Sequence, residues 1–146
     1  MQRTLSLRLE AKSNRAFVIT REDEVADRKR PDIRLAAVRG EQKAVIEVKL
    51  ADDRWSTSDL EGALRDQLVG QYLRHENCKA GCLLLTYDGT KKYWLLPDTH
   101  ERLDFNALLA YLREKAGALE LDHRHTIRLA VFGLDLTDPV LVPTHA

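Results

Sequence analysis

The sequence predicts an α/β domain in which helices flank a mixed central sheet, and two observations lead to this. Segments with the period-two alternation of strands are interleaved with segments whose apolar residues recur at helical spacing. A nearly continuous apolar run over residues 80–87 follows a predicted helix, which is typical of a buried strand reached by a crossover connection. At 146 residues, we expect one domain with a core of its own.

The composition is that of a globular protein in water, with 44% hydrophobic and 32% charged residues. The 23 basic and 23 acidic side chains balance, so binding to nucleic acid would need local basic patches. The two cysteines, Cys78 and Cys82, are too few for a disulfide framework. No apolar run reaches the length of a membrane span, and no secretory leader is visible. We therefore expect a cytoplasmic protein without membrane contacts.

The chain begins with a helix predicted over residues 2–13 and a strand predicted over residues 17–20. The abrupt start is compatible with a fragment of a longer polypeptide. A charged run over residues 21–30 follows, and such runs usually form a solvated loop or edge. In a second interpretation, its last three residues contact a phosphate backbone; they are Arg28, Lys29 and Arg30.

A hairpin is predicted next, with strands over residues 31–38 and 44–50. Gly40 favours a tight turn between them. If the turn has two residues, at Arg39-Gly40, Asp32 lies directly opposite Glu47, whereas a longer loop would shift the pairing.

Strand alternation places Glu47 and Lys49 on one face with Val45. We expect the other face to enter the core, and it carries Ile46, Val48 and Leu50. Two carboxylates and a lysine at one point of a sheet can hold a divalent cation beside a fixed positive charge. Turn chemistry at Asp32 and ordinary surface patterning of Glu47 and Lys49 explain the same residues about as well.

A helix is predicted over residues 58–74, started by a capping box between Ser58 and Glu61. Gln67 and Gln71 fall within its apolar stripe. Buried amides need partners, and a metal site with water and phosphate would supply them, although backbone groups could do so too. The apolar residues of the stripe are Leu60, Ala63, Leu64, Leu68 and Tyr72.

The remaining elements are a basic and aromatic loop over residues 91–94, a helix over residues 105–118 and a strand over residues 126–132. Asp104 is the predicted N-cap of that helix, and residues 134–146 are predicted to be an irregular tail. His75, Cys78 and Cys82 offer at most three ligands to zinc, so we interpret both cysteines as free thiols.

Two short segments together are similar to the signature of the PD-(D/E)XK nuclease superfamily. They are Pro31-Asp32 and, after a gap, Glu47-Val48-Lys49. The resemblance implies a restriction-endonuclease-like fold with an αβββαβ core over residues 2–87 and a helix–strand extension over residues 88–146. A glutamine-bearing helix after the E-x-K strand is typical of that family. The Q-x-x-x-Y variant is not matched, because the interval from Gln67 to Tyr72 is one residue too long.

The resemblance implies a nuclease that uses Mg²⁺ or Mn²⁺, with DNA as the expected substrate and defence or repair as the expected role. Asp32, Glu47 and the carbonyl of Val48 would hold the metal, Lys49 would orient water or stabilise charge, and Gln67 or Gln71 would position water or phosphate. Two alternatives are an inactive module of the same fold that binds nucleic acid or a partner protein, and an interaction domain fused to a larger chain. A homodimer is also common in that family.

Overall fold

The computed structural model describes residues 7–9, 11–12, 16–21 and 32–137. Residues 7–9 and 11–12 are helical, within the predicted first helix. Arg28, Lys29, Arg30 and Pro31 lie outside the described residues. Seven strands are described: β1 (Phe17–Arg21), β2 (Ile33–Ala37), β3 (Lys43–Leu50), β4 (Cys78–Tyr87), β5 (Trp94–Leu95), β6 (Arg102–Leu103) and β7 (Arg128–Asp135).

Five of these strands form one mixed sheet in the order β1-β2-β3-β4-β7. β1, β2 and β3 pair antiparallel, whereas β3–β4 and β4–β7 pair in parallel. The predicted mixed α/β class is therefore confirmed. β5 and β6 form a separate small hairpin. β7 lies in the main sheet, so the chain after residue 87 contributes its fifth strand, and residues 134–135, predicted as tail, belong to β7.

Two helical crossovers supply the parallel connections. The first comprises α1 (Thr57–Gly62) and a continuous π-helical segment, Ala63–Tyr72. The second is α2 (Phe105–Asp122), capped by the Asp104 carboxylate, which accepts a hydrogen bond from the backbone N–H of Ala107 across 2.8 Å. This confirms the predicted N-cap. The helix continues four residues past the predicted end, so Gly117 lies within it.

The start of α1 differs from the predicted capping box. Ser56, not Ser58, is the N-cap, and Asp59 is its partner. The Ser56 hydroxyl accepts from the backbone N–H of Asp59 at 3.1 Å, and the Asp59 carboxylate accepts from the backbone N–H of Ser56 at 2.8 Å. The correct motif is S-x-x-D, two residues earlier, in which a shorter acidic side chain takes the place of glutamate.

The core lies on the face of the sheet that carries Val45, opposite to the expectation. Both crossover helices pack on this face, and a side chain at Gly81 of β4 or Gly133 of β7 would meet them there. Glu47 is therefore buried with Val45. The other face is half-buried, where Leu9 lines a groove with Leu35, Ile46 and Leu84. The core comprises residues of β3, β4, β7 and all the crossover helices, with Trp94 of β5.

The predicted apolar stripe of the first crossover is buried along its whole length, from Leu60 to Tyr72. Val69 and Leu73 are buried as well. The π-helical winding, in which the backbone N–H of Leu73 donates to the carbonyl of Leu68 at 2.8 Å, places more residues in each turn and widens the buried stripe. No helix in the described part of the chain is both long and apolar enough to cross a membrane.

Candidate functional site

The register of the β2–β3 hairpin brings Asp32 to Glu47. The ladder ends at the pair Ile33–Ile46, so the next position along places Asp32 opposite Glu47 on the helix-covered face. The connecting loop is longer than two residues, since the backbone N–H of Ala37 donates to the carbonyl of Gln42 at 2.8 Å. The register is nevertheless the expected one, because this bond extends the same pairing. Gly40 allows the turn with a φ of 97°.

Asp32 is held at the end of the ladder by Val48. The Asp32 carboxylate accepts a hydrogen bond from the backbone N–H of Val48 at 2.8 Å. Val48 lies two residues beyond Ile46, the last paired residue of β3, so the Asp32 side chain takes the place of the carbonyl that a longer β2 would provide. Within a strand, the N–H and C=O of one residue point to the same edge. The carbonyl of Val48 therefore faces the edge where the Asp32 carboxylate lies.

Glu47 is the most unusual group in the site, since only 5% of it is exposed. Its Oε1 accepts a hydrogen bond from Lys49 Nζ at 2.7 Å. Its Oε2 is buried and has no hydrogen-bond partner among the described residues. Burial raises the pKa of Glu47, the hydrogen bond and charge of Lys49 oppose this rise, and the nearby charge of Asp32 adds to it.

Lys49 is enclosed between Glu47 and Trp55. Its side chain is 12% exposed, and its Nζ lies 4.6 Å from the centre of the Trp55 ring, in the range of a cation–π contact. Trp55 belongs to the loop after β3, and its backbone N–H donates to the carbonyl of Asp52 at 3.3 Å. Sequence reasoning missed Trp55, because a single aromatic residue in a loop carries no periodicity that would point to a site.

The two glutamines of the first crossover are both half-buried. Gln71 lines a cavity of about 360 Å³ together with Arg34, Lys43 and Val45. Val45 precedes Glu47 by one step on the same face of β3, so this cavity lies towards the beginning of β3. The crossover helix starts near the carboxyl end of β3 and runs back along that strand. Gln67 lies about one helical turn before Gln71, and therefore nearer to the carboxyl end of β3. The role of either glutamine stays a prediction.

The residues present fit a hard divalent cation. Glu47 with its orphaned carboxylate oxygen, Asp32 opposite it in register and the carbonyl of Val48 all lie next to the end of β2. Within the described ranges, no group of three or more His, Cys, Asp or Glu side chains is placed to hold a metal. A cation here would therefore complete its shell with water or substrate oxygens, which is how Mg²⁺ is usually bound.

Comparison with known proteins adds nothing to this geometry, so a functional assignment depends on the geometry alone. The sequence matches no protein-family model, and neither the curated proteins nor the solved structures provide a significant match.

Proposed function

We propose that this protein is a metal-dependent nuclease that hydrolyses phosphodiester bonds of nucleic acid, with DNA as the substrate, in the cytoplasm. The buried Glu47 carboxylate is the observation that supports it most. A carboxylate with one unpartnered oxygen, placed beside a second acid and a lysine, is costly to fold unless a ligand compensates for it. A divalent cation is the ligand class that two carboxylates and a carbonyl would take.

Each residue has a distinct role in this proposal. Asp32, Glu47 and the carbonyl of Val48 would hold Mg²⁺ or Mn²⁺, which when bound polarises a scissile phosphate and lowers the pKa of an attacking water. Lys49, kept in place by Glu47 and Trp55, presents an ammonium group that orients the water or stabilises negative charge on the phosphoryl oxygens. Gln67 or Gln71 would position water or phosphate from the helix that covers the site.

The test is cleavage of plasmid, linear duplex, single-stranded DNA and RNA with Mg²⁺, with Mn²⁺ and with EDTA. Glu47→Gln is the sharpest variant, because it keeps the shape of the side chain and removes its charge. Glu114→Gln, an exposed carboxylate of α2, is the matched control. We expect metal-dependent cleavage by the wild type and the control, and none by Glu47→Gln. Equal activity of a folded Glu47→Gln would exclude the proposed site.

The hydrogen bond between Lys49 and Glu47 favours a second candidate function. In this alternative, the protein is an inactive module of the nuclease fold that binds nucleic acid or a partner protein. Lys49 Nζ already occupies Glu47 Oε1 at 2.7 Å, so the ammonium group could replace the cation instead of acting beside it. Isothermal titration with Mn²⁺ separates the two candidates. Binding of Mn²⁺ would favour the nuclease, and a folded protein that binds no metal would favour the module.

A further inference from the structure

A second cavity, of about 410 Å³, lies beyond Trp55 at the end of the sheet where β3 and β4 finish. It is formed by the loop before α1 and by the basic and aromatic segment after β4. Its walls combine apolar side chains with polar and cationic groups, and of the described residues that line it only Asp53 is acidic. The other lining residues used below are Ser56, Thr57, Lys91, Lys92 and Trp94.

Two of these residues carry buried polar atoms without partners. Thr57 is 2% exposed and Trp94 is 1% exposed. Neither Thr57 Oγ1 nor Trp94 Nε1 finds a hydrogen-bond partner in the described part of the chain. A hydroxyl and an indole N–H can both donate, and leaving them unpaired under a cavity wall costs free energy. An oxygen-rich ligand that hydrogen-bonds to these two groups would supply the missing acceptors.

The two lysines give the cavity its positive charge. Lys91 Nζ donates to the carbonyl of Trp55 at 3.1 Å, and Lys92 Nζ donates to the carbonyl of Gly89 at 2.8 Å. Among the described residues, neither ammonium forms an ion pair with a carboxylate. An ammonium group has three donors, so each lysine keeps donors for a ligand. Two cations and two neutral donors line the cavity with one carboxylate, and the charge of Asp59 outside it acts on Lys91; this balance favours an anion.

Trp55 connects this cavity to the candidate site. Its ring lies against Lys49 Nζ at 4.6 Å, and its carbonyl accepts from Lys91 Nζ at 3.1 Å. Lys49 of the candidate site and Lys91 of the cavity therefore contact the same residue. A polymer with regularly spaced negative charges could occupy both at once.

We infer that this cavity binds a backbone phosphate of the same nucleic acid whose scissile phosphate lies at Asp32 and Glu47. The inference rests on the proposed function for the identity of the ligand. Lys91 and Lys92 supply the charge, and Thr57 and Trp94 supply neutral donors at the inner wall. The cavity is thus a substrate-positioning subsite one phosphate or more away from the bond that is cleaved.

The experiment measures binding of a fluorescein-labelled oligothymidylate, and of a labelled duplex, by fluorescence anisotropy in EDTA over a series of NaCl concentrations. Thr57→Val removes the buried hydroxyl with little change in shape, and Lys92→Ala removes an exposed cation. Lys79→Ala is the matched control, since Lys79 is also exposed and also donates to one carbonyl, that of Leu73. Thermal melts of all variants check folding.

We expect Thr57→Val and Lys92→Ala each to weaken binding about tenfold, and Lys79→Ala to leave it unchanged. Lys92→Ala should also reduce the slope of log affinity against log salt by about 0.7, the value for one phosphate contact on a single strand. Thr57→Val should leave that slope unchanged, because the hydroxyl is neutral. Thr57→Val should melt no lower than the wild type, since it removes an unpaired buried group.

Three outcomes would overturn the inference: no binding by the wild type, a loss as large in Lys79→Ala as in Lys92→Ala, or a Thr57→Val that binds like the wild type. If Thr57→Val binds like the wild type, any effect of Lys92→Ala reflects only the loss of a surface charge. Because EDTA prevents cleavage, binding that depends on Thr57 and Lys92 in a protein that never cleaves would sink the nuclease proposal alone. If the wild type cleaves and both variants bind like the wild type, only the proposed subsite is contradicted.

Discussion

The Asp32 carboxylate accepts a hydrogen bond from the backbone N–H of Val48 across 2.8 Å, although the two residues are sixteen positions apart. The bond lies just beyond the last backbone pair of β2 and β3, which is Ile33 with Ile46. Asp32 therefore has two separable properties. It is an acceptor that completes the end of a ladder, and it is a negative charge beside Glu47.

Asp32→Asn should separate these two properties. The amide oxygen can still accept from Val48, so we expect the free energy of unfolding to stay within about 0.5 kcal/mol of the wild type. The lost charge should abolish metal-dependent cleavage. Asp32→Ala should lose cleavage and also about 1 kcal/mol of stability, because the N–H of Val48 loses its partner. Urea unfolding and cleavage assays measure both, and an active Asp32→Asn would contradict the assignment.

Lys49→Ala should destabilise the protein as well as inactivate it. The substitution leaves the Glu47 carboxylate buried without its cation, a loss on the order of 3 kcal/mol for a buried pair. In the double variant Lys49→Ala/Glu47→Gln we expect part of this stability to return, because no charge is left unpaired. Urea unfolding of the two single variants and the double variant gives the coupling energy. Strict additivity would show that the pair is not buried together in solution.

The position of the cap at the start of α1 can be tested with two serines. Ser56→Ala should cost about 1 kcal/mol, because it removes the acceptor for the backbone N–H of Asp59. Ser58→Ala should change the free energy of unfolding by less than about 0.5 kcal/mol, since it is exposed within the helix. Urea unfolding compares them directly. A larger loss of stability in Ser58→Ala than in Ser56→Ala would show that the helix begins at Ser58, as the S-x-x-E motif predicts.

Two glycines test the packing of α2 on the sheet. A Cβ on Gly133 would lie against Leu109 and 3.0 Å from the ring of Phe105, so Gly133→Ala should cost about 1–3 kcal/mol through overpacking. A Cβ on Gly117 of α2 would meet nothing within 4 Å, so Gly117→Ala should stabilise by about 0.5–1 kcal/mol. Thermal and urea unfolding measure both. Tolerance of alanine at Gly133 would contradict the close approach of α2 to β7.

Cys82 should be a slow nucleophile in the native protein. Burial raises the pKa of its thiol to about 11, so the thiol stays protonated at pH 8 and the reactive thiolate is scarce. We expect alkylation by iodoacetamide to be on the order of a hundredfold slower than in the urea-unfolded chain, and to accelerate as the pH rises towards 11. Peptide-resolved mass spectrometry distinguishes Cys82 from Cys78. Equal rates in both states would show that the native fold does not shield the thiol.

Local rules predicted the elements that bring the acids together. The alternation of residues 44–50 and the turn at Gly40 were enough to predict the pairing of Asp32 with Glu47, even though the loop is longer than expected. The N-cap at Asp104 followed from short-range hydrogen bonding. The cap of α1 was misplaced because two overlapping motifs, Ser56–Asp59 and Ser58–Glu61, satisfy the same rule, and only the surrounding structure decides between them.

The side of β3 that is buried could not be predicted from alternation. Both faces carry apolar residues, and the choice depends on which face the crossover helices cover, a property of the whole chain. Alternation alone places Glu47 on the face away from the expected core, whereas Glu47 lies in the core. The contact of Lys49 with Trp55 was missed for a related reason, since it joins a strand to a loop whose path is set by the packing of α1.

The order of the strands also bears on how the protein folds. β2 and β3 are joined by a short turn, whereas β4 and β7 reach the sheet through helical crossovers. Hairpins form on the order of microseconds, and parallel pairing between distant segments is slower because more chain entropy is lost first. Asp32 and Val48 therefore meet early, while Glu47 is buried only when the crossover helices dock. A nascent chain would thus carry both acids together, still exposed to water, before the core that encloses Glu47 exists.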